Sequence, residues 1–525
     1  MTIATPTDLL CRIEALRAAV RGEAAAILAG WSGAGLPARA MPQASNLACY
    51  LALRRHDIRA LQKALAALGL SSLGRLEAHV MATLDAVAAT LGRLAGAAQP
   101  ERWRPGRMAA AHAALRRAQT LFFGPDRIGA RARIMVTLPS EAAEDRTLIR
   151  TLLEAGMTCA RINCAHDDAS AWRAMARLVR EEAASRGGCR VMMDVAGPKL
   201  RIAGVYAADA VRLQRGDTVA LVRDLAHAEA ADPVIATLSH PDVVDTLAPG
   251  RKVWIDDGKI GLSVTAASPG RAVLTVFQVR AKGQRLRPGK GVNIPDLSVV
   301  LPPLTEKDLA DLDTAAELAD SIGYSFVQRP EDIDLLAGEL AARRPGRTPL
   351  PLVLKIETPL AVRNLPRLII TALAKAPVAV MIARGDLAVE LSFERMSEIQ
   401  EEILWLAEAA RVPVVWATQV LDSLVREGLP SRAEATDAAM AQRAECVMLN
   451  KGRHLASGVR FLAEVLRRMD RHQSKKTAWY GALQSWPVEE LALPMAAPVQ
   501  NGDRLQRAGT RSGGAGVSAT GRCGP

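Results

Sequence analysis

Residues 133–163 read RIMVTLPSEAAEDRTLIRTLLEAGMTCARIN. RIMVTL is a short apolar run, DRTLIRTLLEAG spaces its large apolar residues three and four apart, and TCARIN returns to a short run. Run, amphipathic helix and run make the repeating unit of a parallel sheet. The rhythm continues through RVMMDV, GYSFVQ, PLVLKIE, VAVMIARGD, VPVVWATQ and ECVMLN, which brings the runs to eight. KDLADLDTAAELAD, SEIQEEILWLAEAAR and SGVRFLAEVLRRM lie in the gaps with helical spacing. Eight strands are what a closed barrel needs, so the expected fold is α/β, a (β/α)8 TIM barrel, with an open doubly wound sheet as the alternative.

One gap breaks the rhythm. Between RVMMDV and KDLADLDTAAELAD lie about a hundred residues rich in valine, glycine and proline, with alternating runs such as DTVALVRD and RAVLTVFQVR. Asp257-Gly258, set between two such runs, is a hairpin signal. This pattern predicts a small β domain inserted after the third barrel strand, placed to close over the barrel mouth. The expected boundaries are 1–125 for an N-terminal helical region, 126–202 and 291–472 for the barrel, and 203–290 for the inserted β lid. Residues 473–525 end in a Gly/Ser/Arg-rich tail with little to bury, expected to be disordered. The Pro/Gly/Arg-rich stretch GAAQPERWRPGR, residues 96–107, reads as a connector.

The chain has 525 residues and 49% hydrophobic content, enough for more than one core. Its net charge of +12 arises from 67 basic and 55 acidic residues. The two signs alternate along most of the chain and form no basic stripe, which argues against nucleic acid and suits small anionic substrates. Seven cysteines without a CxxC pair predict reduced thiols and no structural zinc. No basic segment followed by an apolar core opens the sequence, and no run of about 20 apolar residues occurs, so the expected location is the cytoplasm, with no membrane contact.

In a barrel of this kind the chemistry sits at the C-terminal ends of the strands. The residues there are Arg161 and Asn163, Asp194, Lys355 and Glu357, Arg384 and Asp386, Thr418 and Gln419, and Asn450 and Lys451. Lys355 and Glu357 are two apart on one strand and share a face. Asp386 ends the next strand, about 5 Å away, and with Glu357 makes a pair of carboxylates suited to one hard divalent cation. So many charges at one barrel mouth are costly to bury without a ligand. Arg161, Arg201 and Lys355 facing a carboxylate-bound metal suit the transfer of a negatively charged phosphoryl group.

The segments RIMVTLPS, GMTCARINCAH, MMDVAGPKLR, WIDDGKIGLSV, KGVNIPDLSVVLPPLTEKDL, LKIETPLAVRNL, VMIARGDLAVEL, VPVVWATQVLDS and LPSRAEATDAAMAQRAECVML follow one another in the order found in pyruvate kinases. The chain resembles that family over roughly residues 129–470. The resemblance implies a glycolytic, ATP-forming kinase that moves phosphate from phosphoenolpyruvate to ADP, gives pyruvate, and uses Mg2+ or Mn2+. It implies that Lys355 stabilises the phosphoryl group in transit and that Glu357 and Asp386 hold the divalent metal. Arg161 and Arg201 would contact phosphates, Thr418 would lie beside the enolate carbon near the protonation step, and the backbone N–H groups of Gly385 and Asp386 would hold the substrate carboxylate. His166 would lie near the nucleotide. Asn163 and Asp194 fall where the family binds a monovalent cation. Assembly as a homo-oligomer would be compatible with this reading.

Departures from the family pattern are equally specific. The first strand runs into TLPS, two residues shorter than the family's loop near the nucleotide, and strand eight ends in Asn450-Lys451-Gly452-Arg453, where the family has an acidic residue. These changes keep two other readings open: a degenerate barrel acting as a binding or regulatory module, and a phosphotransferase with another acceptor. The family's C-terminal effector domain has no matching segment, and helices precede the barrel instead. At the monovalent-cation position, Ala165 and Val195 replace two oxygen-bearing ligands, while Lys199 stands where K+-requiring members carry a glutamate. The expectation is an enzyme that does not require K+, with the Lys199 ammonium, oriented by Asp194, replacing the ion.

Overall fold

The computed structural model describes residues 4–97, 106–207, 212–295, 301–475 and 477–478. Most of the GAAQPERWRPGR connector and nearly all of the tail expected to be disordered lie outside the described residues.

Eight parallel strands close a barrel: β1 Arg133–Thr137, β2 Cys159–Asn163, β3 Arg190–Val195, β4 Ser321–Tyr324, β5 Leu352–Ile356, β6 Val378–Ala383, β7 Val414–Ala417 and β8 Cys446–Leu449. They stand around the barrel in chain order, and β8 pairs back onto β1 through Arg133 and Cys446. That pairing excludes the open sheet. Strand four differs from the sequence reading, since it starts at Ser321 and ends at Tyr324, whereas the apolar run began at Gly323. Phe326 takes a left-handed backbone conformation (φ 56°), which turns the chain off the sheet before Val327.

The barrel interior is lined by Met135, Cys159, Met192, Val353, Met381, Val415, Cys446 and Met448, with Phe122 and Phe123 packed among them. Both aromatics end the helix Gly106–Phe123, which therefore stoppers the barrel at the N-terminal ends of its strands. Gln119 on this helix donates through Nε2 to the backbone oxygens of Arg131 (2.5 Å) and Glu445 (2.7 Å). The earlier helices Pro6–Gly30, Met41–Leu53, Arg59–Ala67 and Val80–Leu94 share one continuous apolar core with the barrel's helical layer. Buried Asn46 fastens this layer: its Nδ2 donates to Glu77 O (2.7 Å) and Ala409 O (2.8 Å), and its Oδ1 accepts from Val80 N (2.9 Å).

Between β3 and β4 the chain forms a separate seven-stranded mixed sheet with its own apolar core, starting at Ile202–Tyr206 and finishing at Val292–Asn293. The Asp257-Gly258 hairpin is present. Ile255 pairs with Ile260, and Asp256, Asp257 and Gly258 all take positive φ to make the turn. Among the described residues no helix is long and apolar enough to cross a membrane, and six free cysteines occur, four of them buried.

Candidate active site

Asp194, the penultimate residue of β3, is fully buried and has a cation on either side. Arg161 from β2 donates to Asp194 Oδ2 through Nε at 3.0 Å and also through its terminal nitrogen. Lys355 from β5 places Nζ 3.1 Å from the same oxygen. Burial alone would raise the Asp194 carboxyl, but the Lys355 and Arg161 charges outweigh it and hold the group below the usual carboxylate range. Arg161 is braced from β1, where its NH1 donates to Thr137 Oγ1 at 3.0 Å.

Lys355 also contacts Glu357 Oε1 at 3.4 Å, so the shared face expected of the two residues is present. Glu357 is 3% exposed, and its Oε2 accepts from the Phe326 backbone N–H at 2.5 Å. Burial pushes the Glu357 carboxyl up, Lys355 partly offsets this, and the negative charge of Asp386 pushes it up further. Two residues of strand four's exit that the sequence reading passed over therefore belong to the site. Ser325 accepts from Lys355 Nζ at 2.6 Å and donates to Val195 O at 2.6 Å, while Phe326 supplies the amide on Glu357. Their available signal is position, directly after a barrel strand, which the apolar run GYSFVQ hides by continuing past the strand's end at Tyr324.

Lys199 departs from the expectation. Its ammonium is not oriented by Asp194, whose Oδ2 is engaged by Arg161 and Lys355 and whose Oδ1 lies 3.4 Å from the Ser325 hydroxyl. It lies instead 2.6 Å from Asp386 Oδ1 and 3.4 Å from Asp257 Oδ1 in the lid hairpin. Burial works against the charged amine, but Asp386 and Asp257 outweigh it and raise the Lys199 pKa. Asn293, at the end of the last lid strand, adds a second link that the sequence did not reveal: its Nδ2 donates to Glu390 Oε1 at 2.9 Å and lies 3.4 Å from Asp386 Oδ1.

At the ends of β6 and β7, Arg384 pairs with Asp437 at 2.5 Å, stacks 4.7 Å from the Trp416 ring centre and donates to Ala417 O and Thr418 O. Arg384 is thus a structural brace. Thr418 takes a left-handed conformation (φ 64°) and accepts the Gly385 N–H on its hydroxyl at 2.8 Å. The amide expected to stand open to a substrate carboxylate is therefore held by Thr418 in this structure. Asn450 Oδ1 lies 3.4 Å from the Thr137 hydroxyl, across the seam where the barrel closes.

Arg201 and His166 line a separate cleft of about 440 Å³ between barrel and lid, together with Asn163, Lys199, His240 and Lys307. Arg201 NH1 donates to Gly289 O at 3.0 Å, and Asn163 Oδ1 accepts the Ala165 N–H at 3.2 Å. Burial and then the charge of Lys451 push the His166 imidazole below its ordinary pKa. This cleft is basic and adjoins the Asp194 cluster through Asn163 and Lys199.

The donor set fits a divalent cation. Among the described residues no group of three or more His, Cys, Asp or Glu side chains could hold a metal, so Glu357 and Asp386 would act as a two-carboxylate site completed by substrate oxygens and water. Burial first, and then the charge of Asp386, raise the Glu357 pKa, and the Lys199 ammonium on Asp386 is a cation standing on one of these carboxylates.

The barrel sequence has counterparts among known proteins. The family model for the pyruvate kinase barrel domain matches residues 130–458. The chain is 34% identical over 345 residues to a pyruvate kinase of Mycobacterium tuberculosis, covering 64% of this chain and 69% of that protein. It is 36% identical over 324 residues to a pyruvate kinase of Methylorubrum extorquens, covering 61% and 64%, and 33% identical over 355 residues to one of Agrobacterium vitis, covering 65% and 69%. With the matched region spanning the whole closed barrel and every strand end that carries the site, the chain belongs to the pyruvate kinase family.

Proposed function

We propose that this protein transfers the phosphoryl group of phosphoenolpyruvate to ADP, giving pyruvate and ATP, as a cytoplasmic enzyme of glycolysis. The observation that carries the reading is the buried Lys355 ammonium, held at 2.6 Å by Ser325 and at 3.1 Å by Asp194 beside the Glu357 carboxylate. A cation fixed in place before the substrate arrives stabilises charge that develops on a phosphoryl group in transit without reorganising during the reaction. Arg161 pairs with the same Asp194 oxygen as Lys355, so positive charge reaches this end of the barrel from two strands. Mg2+ or Mn2+ on Glu357 and Asp386 would supply further charge neutralisation when bound. Thr418, at the end of β7, presents its hydroxyl next to Gly385, where it would orient the three-carbon unit. Arg201 and Lys307 give the neighbouring cleft the charge that a nucleotide's phosphates require.

We also infer independence from K+. Ala165 and Val195 offer no side-chain oxygen, Asp194 is neutralised by two protein cations, and Lys199 adds a fixed positive charge at the mouth of the site. The deciding experiment is pyruvate formation from phosphoenolpyruvate and ADP, followed by coupled NADH oxidation with lactate dehydrogenase. Turnover that needs both substrates and a divalent cation is expected. No pyruvate at any nucleotide or metal concentration, together with measurable phosphoenolpyruvate binding, would instead favour a binding module.

A further inference from the structure

At the opposite end of the barrel from the Asp194 cluster, a cavity of about 760 Å³ lies between the helix Met41–Leu53, the helix Gly106–Phe123 and the underside of the barrel. Arg39, Arg107, Arg117, Arg411 and His79 line it, and no Asp or Glu does. Elsewhere in the structure many arginines are engaged with carboxylates, as Arg146 and Arg150 are with Glu182. Here they are not. Arg39 and Arg117 have no carboxylate partner among the described residues. Arg107 only reaches Asp85 at 4.0 Å, a carboxylate already held by Arg17 at 2.8 Å and Arg21 at 3.0 Å. Arg411 spends its Nε on Ala78 O at 3.1 Å, and burial pushes its pKa down.

A lining that carries positive charge and no carboxylate favours an anionic ligand. The helix Met41–Leu53 adds to the field: it opens at the cavity with Ala40 as an uncapped N-terminal residue and no acidic side chain in its first turn. The floor is of another kind, built from Leu373, Ala376, Pro377, Val378 and Phe122. The cavity is within the size range of small-molecule sites, roughly 300–1,000 Å³. Its shape and lining call for a ligand with a charged head and an uncharged body.

We propose that this cavity binds a small organic phosphate ester, with the phosphate among Arg39, Arg117 and Arg411 and the organic portion against the Leu373–Phe122 floor. The site is separate from the one that handles the transferred phosphoryl group: Val378 starts β6, and Asp386 lies beyond the other end of that strand. Calorimetric titration of the full chain with ribose 5-phosphate, and separately with inorganic phosphate, tests it. Ribose 5-phosphate should bind, and more tightly than inorganic phosphate. The double variant Arg39→Ser/Arg117→Ser should weaken it by about tenfold or more, and Lys355→Met should leave it unchanged. Both arginines are solvent-exposed, and an unaltered melting curve of the unliganded double variant verifies its fold; the single variant Arg117→Gln serves if the double one is unstable. The proposal is overturned by an absence of binding at millimolar ribose 5-phosphate, by equal binding of inorganic phosphate, or by binding that survives the arginine changes and is lost with Lys355→Met.

Discussion

Lys199 and Asp386 meet across the junction of lid and barrel, ammonium to carboxylate at 2.6 Å, although 187 residues separate them in sequence. The same ammonium reaches Asp257 on the lid hairpin. One side chain at the hinge therefore touches both the carboxylate suited to a divalent metal and the part of the lid that lies above it.

If that ammonium replaces a monovalent ion, the protein turns over phosphoenolpyruvate in buffer free of K+ and Na+, with ionic strength held by a bulky quaternary ammonium salt. Lys199→Glu should lose most activity and recover part of it when K+ is added. Activity of the parent that appears only with K+ would end the idea.

Glu357→Gln and Asp386→Asn should each reduce turnover to background while leaving the fold intact, because each removes a charged oxygen from a site with only two. Mg2+ should raise the melting temperature of the parent protein and leave that of either variant nearly unchanged. Near-normal rates in either variant would refute the metal assignment.

Lys355→Met should lower kcat by several orders of magnitude and change KM much less, since the lysine acts on charge that moves in the transition state. Its effect on stability should stay below the ~3–5 kcal/mol seen when a buried ion is left alone, because Arg161 still holds Asp194. A change confined to KM would make Lys355 a binding group only.

Ser325 is a positioning residue, bridging Lys355 Nζ to the Val195 carbonyl oxygen. Ser325→Ala should cost kcat roughly tenfold, equivalent to about 1.4 kcal/mol, with KM for ADP unchanged. An equal loss in binding of both substrates and in thermal stability would point to general disruption of the site.

Deleting residues 1–120 should give an insoluble protein. The deletion removes Gln119 and the helical base of Phe122 and Phe123, and it strips Asn46 and its neighbours from the barrel helix ending at Ala409. A soluble, monodisperse truncation with native turnover would contradict this.

The barrel was legible because each of its strands carries an apolar run bounded by a helix, and the run ends mark Arg161, Lys355, Glu357 and Asp386 directly. Strand four was misplaced because Asp320 and Ser321 are polar; only in the fold does Asp320 accept the Val191 N–H at 2.8 Å, and Ser321 is buried next to it. That slip concealed Ser325 and Phe326. The partner of Lys199 was misread for a different reason. Chain proximity favours Asp194, but Arg161 from the adjacent β2 and Lys355 from β5 already hold that carboxylate, a competition visible only after the barrel closes. Asn293 left no sequence signal, being a neutral amide in a lid strand that meets Glu390 through tertiary folding alone.

The Phe122–Phe123 stopper has a consequence for how the chain reaches its native state. The bond from Gln119 to Glu445 spans 326 residues, so the helix that seals the barrel emerges from the ribosome long before the strand it must sit beneath. Two large aromatics have to wait, uncovered, while the lid and all eight barrel strands are made. Contacts of such long range close late and leave sticky surface exposed in the interim, which makes this helix the segment where a chaperone would have most to do.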